Sequence, residues 1–329
     1  MIVTRYIRLF AVTYFVLFWA CCGATAQIRF SVSAPVFSYV FDAKENVLKT
    51  ILGFPGNSIV ADPVELGFPI SQGVVLSDHR HVIASSPSFP ELLLVHLEGD
   101  SVSVSTIAET LSAPDRIELS SGGNSAAIYY GASESIVILS GLPHSATVSR
   151  KIELSGFVGS PKAIAINDAG TSLLLAYSEG EHELVYAWSE SGDARFVLSV
   201  LKTGALTFFG NENAIVADNE ANEVYEIRDV QGQAAKMLLA DARDGISKPV
   251  GVAVSDLGQI HIANASSSTV MTLETESRTI RVTECACIIT GIHRMADSTF
   301  RLTDGPGEPI FVFETSPGAD RIVFIPAGP

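Results

Sequence analysis

The chain has 329 residues, of which 47% are hydrophobic and only 17% are charged. Soluble domains average about 25% charged residues, so a large part of this chain has to be buried in an apolar core. Acidic residues outnumber basic ones by 36 to 21, which gives a net charge of −15. This balance argues against nucleic-acid binding, which needs clustered Lys and Arg. Four cysteines, 26 glycines and 15 prolines are too few for a disulfide-built, collagen-like or low-complexity chain.

Residues 1–26 have the pattern of a secretory signal peptide. Arg5 and Arg8 precede an uncharged apolar run from Leu9 to Ala20, which corresponds to the basic start and the apolar middle of such a peptide. The small residues of Ala24–Ala26 predict cleavage before Gln27. The apolar run is shorter than the about 20 residues that span a bilayer. We therefore expect a secreted or periplasmic protein that has no membrane span after cleavage.

The cysteines allow a second interpretation of this leader. Lipid-anchored proteins carry a Cys after a small residue, so an anchor on Cys21 or Cys22 is the alternative, although the bulky Trp19 does not fit that pattern. Cleavage leaves Cys285 and Cys287, which would point to the same face of a strand. A disulfide between such close positions is strained, and zinc would need further ligands nearby. We expect two small buried residues on an inner strand and no zinc site.

Internal repetition is the strongest signal in the chain. From about residue 70 onward, the sequence repeats a unit of four apolar strands that are separated by polar turns. The clearest copy extends from Pro161 to Val200, and a second copy extends from Pro249 to Val282. The first strands of the six copies begin near Gly73, Arg116, Lys162, Ala205, Val250 and Cys287. A period of about 40 to 45 residues with four strands per unit is typical of a β-propeller blade.

The repeats predict an all-β fold, a single β-propeller domain over residues 27–329. Phe37–Asp42 and Val47–Leu52 resemble the third and fourth strands of one further unit. Propellers often close by letting both chain ends share a blade, which removes an open sheet edge. We favour seven blades with a composite closing blade, and the alternative is six blades with an N-terminal hairpin. Gln233–Arg243 has helical propensity, but the repeat register places a fourth strand there.

Several of these segments resemble known propeller repeats. Ala214–Val224 resembles the second and third strands of NHL-type repeats, and Pro249–Ala263 resembles their opening. Pro161–Tyr177 resembles the YVTN-type repeat of surface-layer and periplasmic propellers. The resemblance extends over most of the chain and implies a secreted, WD40-like propeller. It implies no particular ligand, since one fold hosts many functions.

Histidines are the candidate residues for chemistry. Asp78 is followed by His79 and, after Arg80, by His81, and this group could begin a metal site. The repeat register places the group in a turn between two strands, so we favour a solvated turn. His182 lies within an acidic hairpin tip. This tip is either a charged turn exposed to solvent or the rim of a cation-binding site. His261 alternates with apolar neighbours on a strand, which is typical of a packed or hydrogen-bonded histidine.

Other segments offer weaker signals. The loop Asp304–Glu308 carries carboxylates but lacks the ligand spacing of an EF-hand calcium loop. Asn264–Ser266 is the only glycosylation sequon. The common hydrolase, zincin and nucleotide-binding motifs are absent from the sequence. Gly53–Pro69 reads as a long connection between blades, either a loop that packs over the closing seam or a lid or docking surface.

Two functions remain open. The first is a monomeric, non-catalytic binding module for an unknown protein, polymer or small-molecule ligand, which needs no metal, no cofactor and no nucleic acid. The alternative is an exported enzyme of the lyase or lactonase kind found among related propellers, using His and carboxylates with a divalent metal as an option. The enzyme interpretation requires that at least two of four histidines converge with carboxylates on one face; these are His81, His182, His261 and His293. The sequence assigns no catalytic residue.

Overall fold

The computed structural model describes residues 34–99, 101–189, 192–275, 277–296, 298–303, 309–316 and 319–327. The predicted signal peptide and the loop Asp304–Glu308 lie outside these residues. The described residues from Pro35 onward belong to one compact unit and form 27 strands and a single turn of 3-10 helix, Gly131–Ser133. In this part of the chain, no helix is long and apolar enough to cross a membrane.

The strands form seven antiparallel sheets in which the strands follow chain order. Blade 1 contains β1 (Val36–Asp42), β2 (Val47–Phe54) and β3 (Asn57–Pro63). Blade 2 contains β4 (Gln72–Val75), β5 (His81–Ser85), β6 (Leu92–Glu98) and β7 (Ser101–Ile107). Blade 3 contains β8 (Arg116–Leu119), β9 (Ser125–Tyr130), β10 (Ser135–Ser140) and β11 (Thr147–Glu153). Blade 4 contains β12 (Ala163–Ile166), β13 (Leu173–Glu179), β14 (His182–Trp188) and β15 (Ala194–Val200).

The last three blades repeat the same order. Blade 5 contains β16 (Thr203–Phe209), β17 (Asn213–Asp218), β18 (Glu223–Arg228) and β19 (Ala235–Ala240). Blade 6 contains β20 (Pro249–Val254), β21 (Gln259–Asn264), β22 (Thr269–Glu274) and β23 (Ile280–Glu284). Blade 7 contains β24 (His293–Ala296), β25 (Thr299–Arg301), β26 (Ile310–Glu314) and β27 (Arg321–Ile325). The first strand of every blade lines a central channel, so the fold is a seven-bladed β-propeller, as predicted.

The core lies between neighbouring blades. The second strands β5, β9 and β21 are buried along their whole length, because another blade packs on each of their faces. Ile83 of blade 2, for example, packs in one apolar cluster with Ile128 of blade 3. The outer strand β23 instead alternates between exposed and half-buried residues. The inner faces between blades therefore hold mostly apolar residues, which explains the low charged fraction of the chain.

Strand direction defines two ends of the ring. Because four antiparallel strands return the chain to the end where it began, each inner strand starts at the same end, which we call the upper end. The link from Val200 in β15 to Thr203 in β16 is short enough to require this. The turns between first and second strands, and between third and fourth strands, lie at the lower end.

The ring closes between blades 1 and 7. The edge of β3 is covered by the residues that follow β27, because the Val60 N–H donates to the Pro326 carbonyl at 3.0 Å and Val60 forms a parallel bridge with Ala327. The predicted assignment of Phe37–Asp42 and Val47–Leu52 as third and fourth strands was wrong. They form the innermost and second strands of blade 1, and Phe41 lies against Gly73 of the next inner strand.

Two further segments differ from the sequence-based expectation. Gly53–Pro69 is not one long loop, because Asn57–Pro63 forms β3 and only Val64–Ser71 links blade 1 to blade 2. Phe68 in this link packs edge-on against Phe89 of blade 2, whereas the closing seam with blade 7 is met by Val60 of β3. Residues Ala235–Ala240 form the expected fourth strand despite their helical propensity, because pairing with β18 outweighs a local preference.

The cysteine prediction was also wrong. Cys285 and Cys287 form a disulfide with a Cα–Cα distance of 5.1 Å. They lie in the link between β23 and β24 and not on an inner strand, which begins only at His293. The Cys285 N–H still donates to the Ser268 carbonyl at 2.8 Å, but the chain bends directly after it, and this bend brings both sulfurs together.

Candidate functional site in the central channel

The central channel is the candidate functional site. It has a volume of about 690 Å³, which lies within the range of small-molecule sites. Residues from the inner strands of all seven blades line it. Inner strands approach one another closely here, and glycines allow this: a Cβ atom on Gly204 would lie 2.0 Å from the Pro249 carbonyl oxygen of the next blade.

The turn between β8 and β9, residues 120–124, crosses the lower end of the channel. The Ser121 hydroxyl donates to the Phe208 carbonyl at 2.7 Å and contacts the Thr207 hydroxyl at 3.1 Å. The Gly122 N–H donates to the Asp168 carboxylate at 2.8 Å. This turn of blade 3 therefore reaches blades 4 and 5, and it gives the channel a floor.

Two glycines allow this floor to form. Gly123 has a φ of +75°, and a Cβ atom there would lie 2.6 Å from the Ser77 hydroxyl of blade 2. A Cβ atom on Gly122 would lie 2.9 Å from the Asp168 carboxylate. We call the channel, with this turn across its lower end, the funnel; side chains larger than hydrogen at these two positions would displace the turn.

The charges along the funnel are opposite in sign to those of the whole chain. Among the described residues that line it, four are basic, one is acidic and one is histidine; they are Arg116, Lys162, Arg294, Arg301, Glu118 and His293. The chain as a whole has 36 acidic and 21 basic residues. Arg116 has Glu118 nearby and Arg294 has Asp256, but basic residues still outnumber acidic ones among the described lining residues, the reverse of the whole chain.

Three of the four basic residues lie towards the upper end. Arg116 is the first residue of β8 and donates from Nη1 to the Lys162 carbonyl at 3.0 Å. Lys162 directly precedes β12 and is exposed. Arg301 pairs with His293, the first residue of β24. The fourth basic residue, Arg294, instead forms an ion pair with Asp256 at 2.8 Å.

Glu118 lies two residues further along β8 than Arg116, with 3.9 Å between its Oε1 and the Arg116 Nε. Its side chain is 41% exposed, because the funnel is open to water, but protein surrounds it on most sides. This burial raises the pKa of the Glu118 carboxyl, while Arg116 and His293 act in the opposite direction. Blades 3 and 7 lie across the ring from each other, so Glu118 and His293 face one another over the funnel.

The predicted histidines lie in separate places. His81 is not in a solvated turn, as we had expected, because it is the first residue of β5 and only 8% exposed, covered by the rings of His96 and His144. His182 begins β14 and is exposed, so it lies at a hairpin tip as the repeat register predicted. His293 lies in the funnel.

His261 is packed in the core, as predicted. It is fully buried, its Nδ1 lies 3.0 Å from the Thr272 hydroxyl, and its ring contacts Phe300 and Phe313 at centroid distances of 5.1 Å. Burial lowers its pKa to about 4, so the imidazole is neutral at physiological pH.

The convergence that the enzyme interpretation required is not found among the described residues. The one metal-ligating group of three or more residues in that part of the chain combines Asp78 with His81 and His144, and it includes none of the other three predicted histidines. Asn264 of the sequon is fully buried, and its side-chain oxygen accepts the Ser247 N–H at 3.0 Å, so a glycan has no access to it in the folded protein.

The charged residues of the funnel are not among the candidates that the sequence predicts. Arg116 and Lys162 mark the beginnings of two repeats, and this position is the signal that could have identified them. Basic residues at the start of inner strands meet at the upper end of one channel. Arg301 carried no such signal, since it lies on a second strand.

Comparisons with solved structures show the fold. A functionally unknown protein from Desulfotomaculum acetoxidans is similar with a TM-score of 0.59 and 15% identity over 89% of this chain and all of that chain. A streptogramin B lyase has a TM-score of 0.54 and 12% identity over 79% of this chain and 85% of its own. Virginiamycin B lyase from Staphylococcus aureus has a TM-score of 0.51 and 13% identity over 75% and 81% of the two chains.

The sequence comparisons add no assignment. No protein-family model matches the chain, and no curated protein matches it in sequence. Identities of 12 to 15% are too low to transfer an activity, and one fold hosts many functions. Together, the sheets and the comparisons establish that this chain is a seven-bladed β-propeller.

Proposed function

We propose that this protein is an exported, non-catalytic propeller that binds a small anionic ligand in its central funnel. The observation that carries the proposal is the reversal of charge: the funnel is lined by four basic residues and one acidic residue in a chain with a net charge of −15. Arg and Lys at the upper end suit a ligand with carboxylate, phosphate or sulfate groups. The floor at the lower end limits the ligand to a small molecule.

The test is a calorimetric titration of the full-length protein with sodium sulfate, a divalent anion. We expect saturable binding of one sulfate per chain that weakens as ionic strength rises. Glycerol, an uncharged compound of similar size, should give no binding. Sulfate binding that is absent at low ionic strength would contradict the proposal.

Two variants locate the site. Arg116→Gln removes a charge from the upper end of the funnel, and we expect it to weaken sulfate binding at least fivefold. Arg321→Gln, a matched change on the outer strand of blade 7, where the side chain is 62% exposed and pairs with Glu314, should bind sulfate like the wild type. Equal losses in both variants would show that sulfate responds to overall charge and not to the funnel.

Export is part of the proposal. It rests on the signal-peptide pattern of residues 1–26 and on the Cys285–Cys287 disulfide, since disulfides persist mainly in oxidising compartments. The NHL-like and YVTN-like segments support the same assignment. N-terminal sequencing of the secreted protein should begin at Gln27, and retention of the first 26 residues in a cytosolic product would oppose it.

The alternative is proton-transfer chemistry in the same funnel. The observation that favours it is the carboxyl of Glu118, whose pKa is raised by burial and which faces His293, as acid–base catalysts often do. Incubation with a streptogramin B, followed by chromatography, tests a lyase like the structural neighbour. Consumption that is lost in Glu118→Gln would favour the enzyme, and no consumption by the wild type would favour binding.

A further inference from the structure

A second candidate site lies at the lower end of the propeller, away from the funnel mouth. Asp78 is in the turn between β4 and β5 of blade 2, and His81 is the first residue of β5. His144 is in the turn between β10 and β11 of the adjacent blade 3. Both kinds of turn lie at the lower end, so the three residues meet where two neighbouring blades come together.

Sheet register brings the histidines together. His81 is paired directly with His96 on β6, and the two rings stack with their centroids 4.5 Å apart and their planes 20° apart. Because side chains on one face repeat every second residue, both lie on the same face as Ile83 and Leu94, which pack against blade 3. The His144 ring meets His81 edge-on at 5.3 Å. Three of the seven histidines of the chain are thus in one contact group.

The turn fixes the Asp78 carboxylate. One carboxylate oxygen accepts the backbone N–H groups of Arg80 and His81 at 3.2 and 3.1 Å, and the other lies 2.5 Å from the His81 Nδ1. These three contacts orient the carboxylate towards His81.

We propose that Asp78, His81 and His144 bind a divalent transition-metal ion, with zinc as the best match, and that this ion clamps blade 2 to blade 3. One potential ligand atom from each residue lies within 4.8 Å of the other two. Two imidazoles and one carboxylate are the donor set that zinc takes in open sites, where water completes the coordination. Calcium and magnesium prefer all-oxygen sites.

Binding needs a small rearrangement of the cluster. Ligand atoms about 2.0 Å from a tetrahedral ion lie about 3.3 Å from one another, so the His144 ring has to approach the other two residues, while the Asp78 oxygen that lies 2.5 Å from the His81 Nδ1 has to move slightly away from it. His144 can supply this movement because it is exposed on a turn, whereas His81 is held by Asp78 and by the stacked His96. The half-buried Asp78 and the buried His81 form a half-site that the exposed His144 completes.

The test is a titration of the full-length protein with zinc chloride in a buffer without chelators. We expect one zinc per chain and a higher melting temperature at saturating zinc, because an ion that binds only the folded state stabilises it. Magnesium chloride should change neither quantity. No zinc binding, or several equivalent zinc ions per chain, would overturn the proposal.

Variants separate this site from adventitious binding by surface histidines. His144→Ala removes an exposed ligand without opening the core, and we expect at least tenfold weaker zinc binding and loss of the zinc-dependent rise in melting temperature. Asp78→Asn should weaken binding to a similar degree, since it removes the charged ligand. His182→Ala, which removes an exposed histidine on blade 4, should bind like the wild type. Wild-type affinity in His144→Ala, or an equal loss in His182→Ala, would show adventitious binding only.

Discussion

Glu118 is the single carboxylate among the described residues that line the funnel, and its placement sets the electrostatics of the proposed site. It lies beside Arg116 and faces His293 across the ring, so it offsets part of the positive charge that an anion would meet. A ligand with both an acidic and a basic group would interact favourably with both the basic residues and Glu118. The Glu118 carboxylate thus limits the affinity for simple anions and selects for ligands that also carry a basic group.

Replacement of Glu118 by Gln should strengthen sulfate binding about two- to tenfold at pH 8, because a negative charge close to the anion disappears. Since burial raises the pKa of Glu118, the wild-type carboxyl becomes neutral at a higher pH than an ordinary glutamate does. The wild-type affinity should therefore approach that of the variant as the pH falls. Calorimetry at several pH values checks this, and an affinity difference that grows on acidification would contradict it.

The buried His261 makes the fold sensitive to acid. Its folded-state pKa of about 4 lies below the value of about 6.5 in an unfolded chain, so the unfolded state takes up the proton first as the pH falls. The contribution of His261 to the free energy of unfolding is fully present above about pH 6.5 and is lost as the pH falls towards 4. Between pH 7.5 and 4.5 the loss is about 2 to 3 kcal/mol.

Urea unfolding of His261→Gln measures this contribution. Gln does not titrate, so the fall in the free energy of unfolding between pH 7.5 and 4.5 should be about 2 to 3 kcal/mol smaller than in the wild type. The comparison uses the change with pH within each protein, so a constant cost of the substitution cancels. Identical pH dependence in both proteins would contradict the assignment.

At the scale of elements, the turn of residues 120–124 is the feature that converts an open channel into a funnel. Its hydrogen bonds reach Asp168 and Phe208 in two other blades, so it also ties non-adjacent blades together. The sequence Ser120-Ser121-Gly122-Gly123-Asn124 predicts a turn, but its reach across the ring depends on the packing of four blades.

Gly123→Ala should destabilise the protein by about 2 to 4 kcal/mol and weaken sulfate binding. The φ of +75° costs about 1 to 2 kcal/mol for a residue with a Cβ atom, and contact with Ser77 adds to this. Gly180→Ala is the matched control, because Gly180 has a similar φ of +63° but open space around it, and we expect only the backbone cost. Equal destabilisation in both variants would show that the floor is not packed as described.

At the scale of the whole molecule, the ring is closed by an apolar cluster in which Ile51 of blade 1 packs with Val312 and Ile325 of blade 7, and by the residues after β27. Blade 1 has three described strands, and the edge of β3 meets Pro326 and Ala327. An exposed sheet edge favours association with other chains. The closing contact therefore protects the protein from aggregation as well as holding the ring.

Deletion of residues 326–329 should leave the fold intact but lower the melting temperature by about 2 °C or more, because a closing hydrogen bond and the edge cover are lost. Light scattering should show faster aggregation on warming. Deletion of residues 328–329 alone retains Pro326 and Ala327 and serves as control. A melting temperature and aggregation rate that match the wild type in the longer deletion would contradict this role.

Much of the architecture was predictable from sequence, because blade repeats depend on local alternation and turn residues. Seven blades, the inner strands near Arg116 and Lys162, and the fourth strand at Ala235–Ala240 all followed from the period. The closing blade did not, since whether Phe37–Asp42 is an inner or outer strand depends on packing against Gly73. The funnel and the cluster around His81 depend on contacts between distant blades, and a linear pattern does not contain those contacts.

The central claim is that the funnel binds an anion at its upper end, and the most direct measurement is a crystal structure after a soak in sodium selenate. Selenate has the same shape and charge as sulfate, and its selenium atom can be located by anomalous scattering. The account predicts an anomalous peak in the channel, within about 4 Å of a basic side chain of Arg116, Lys162 or Arg301. Peaks confined to the outer surface, with none in the channel, would contradict it.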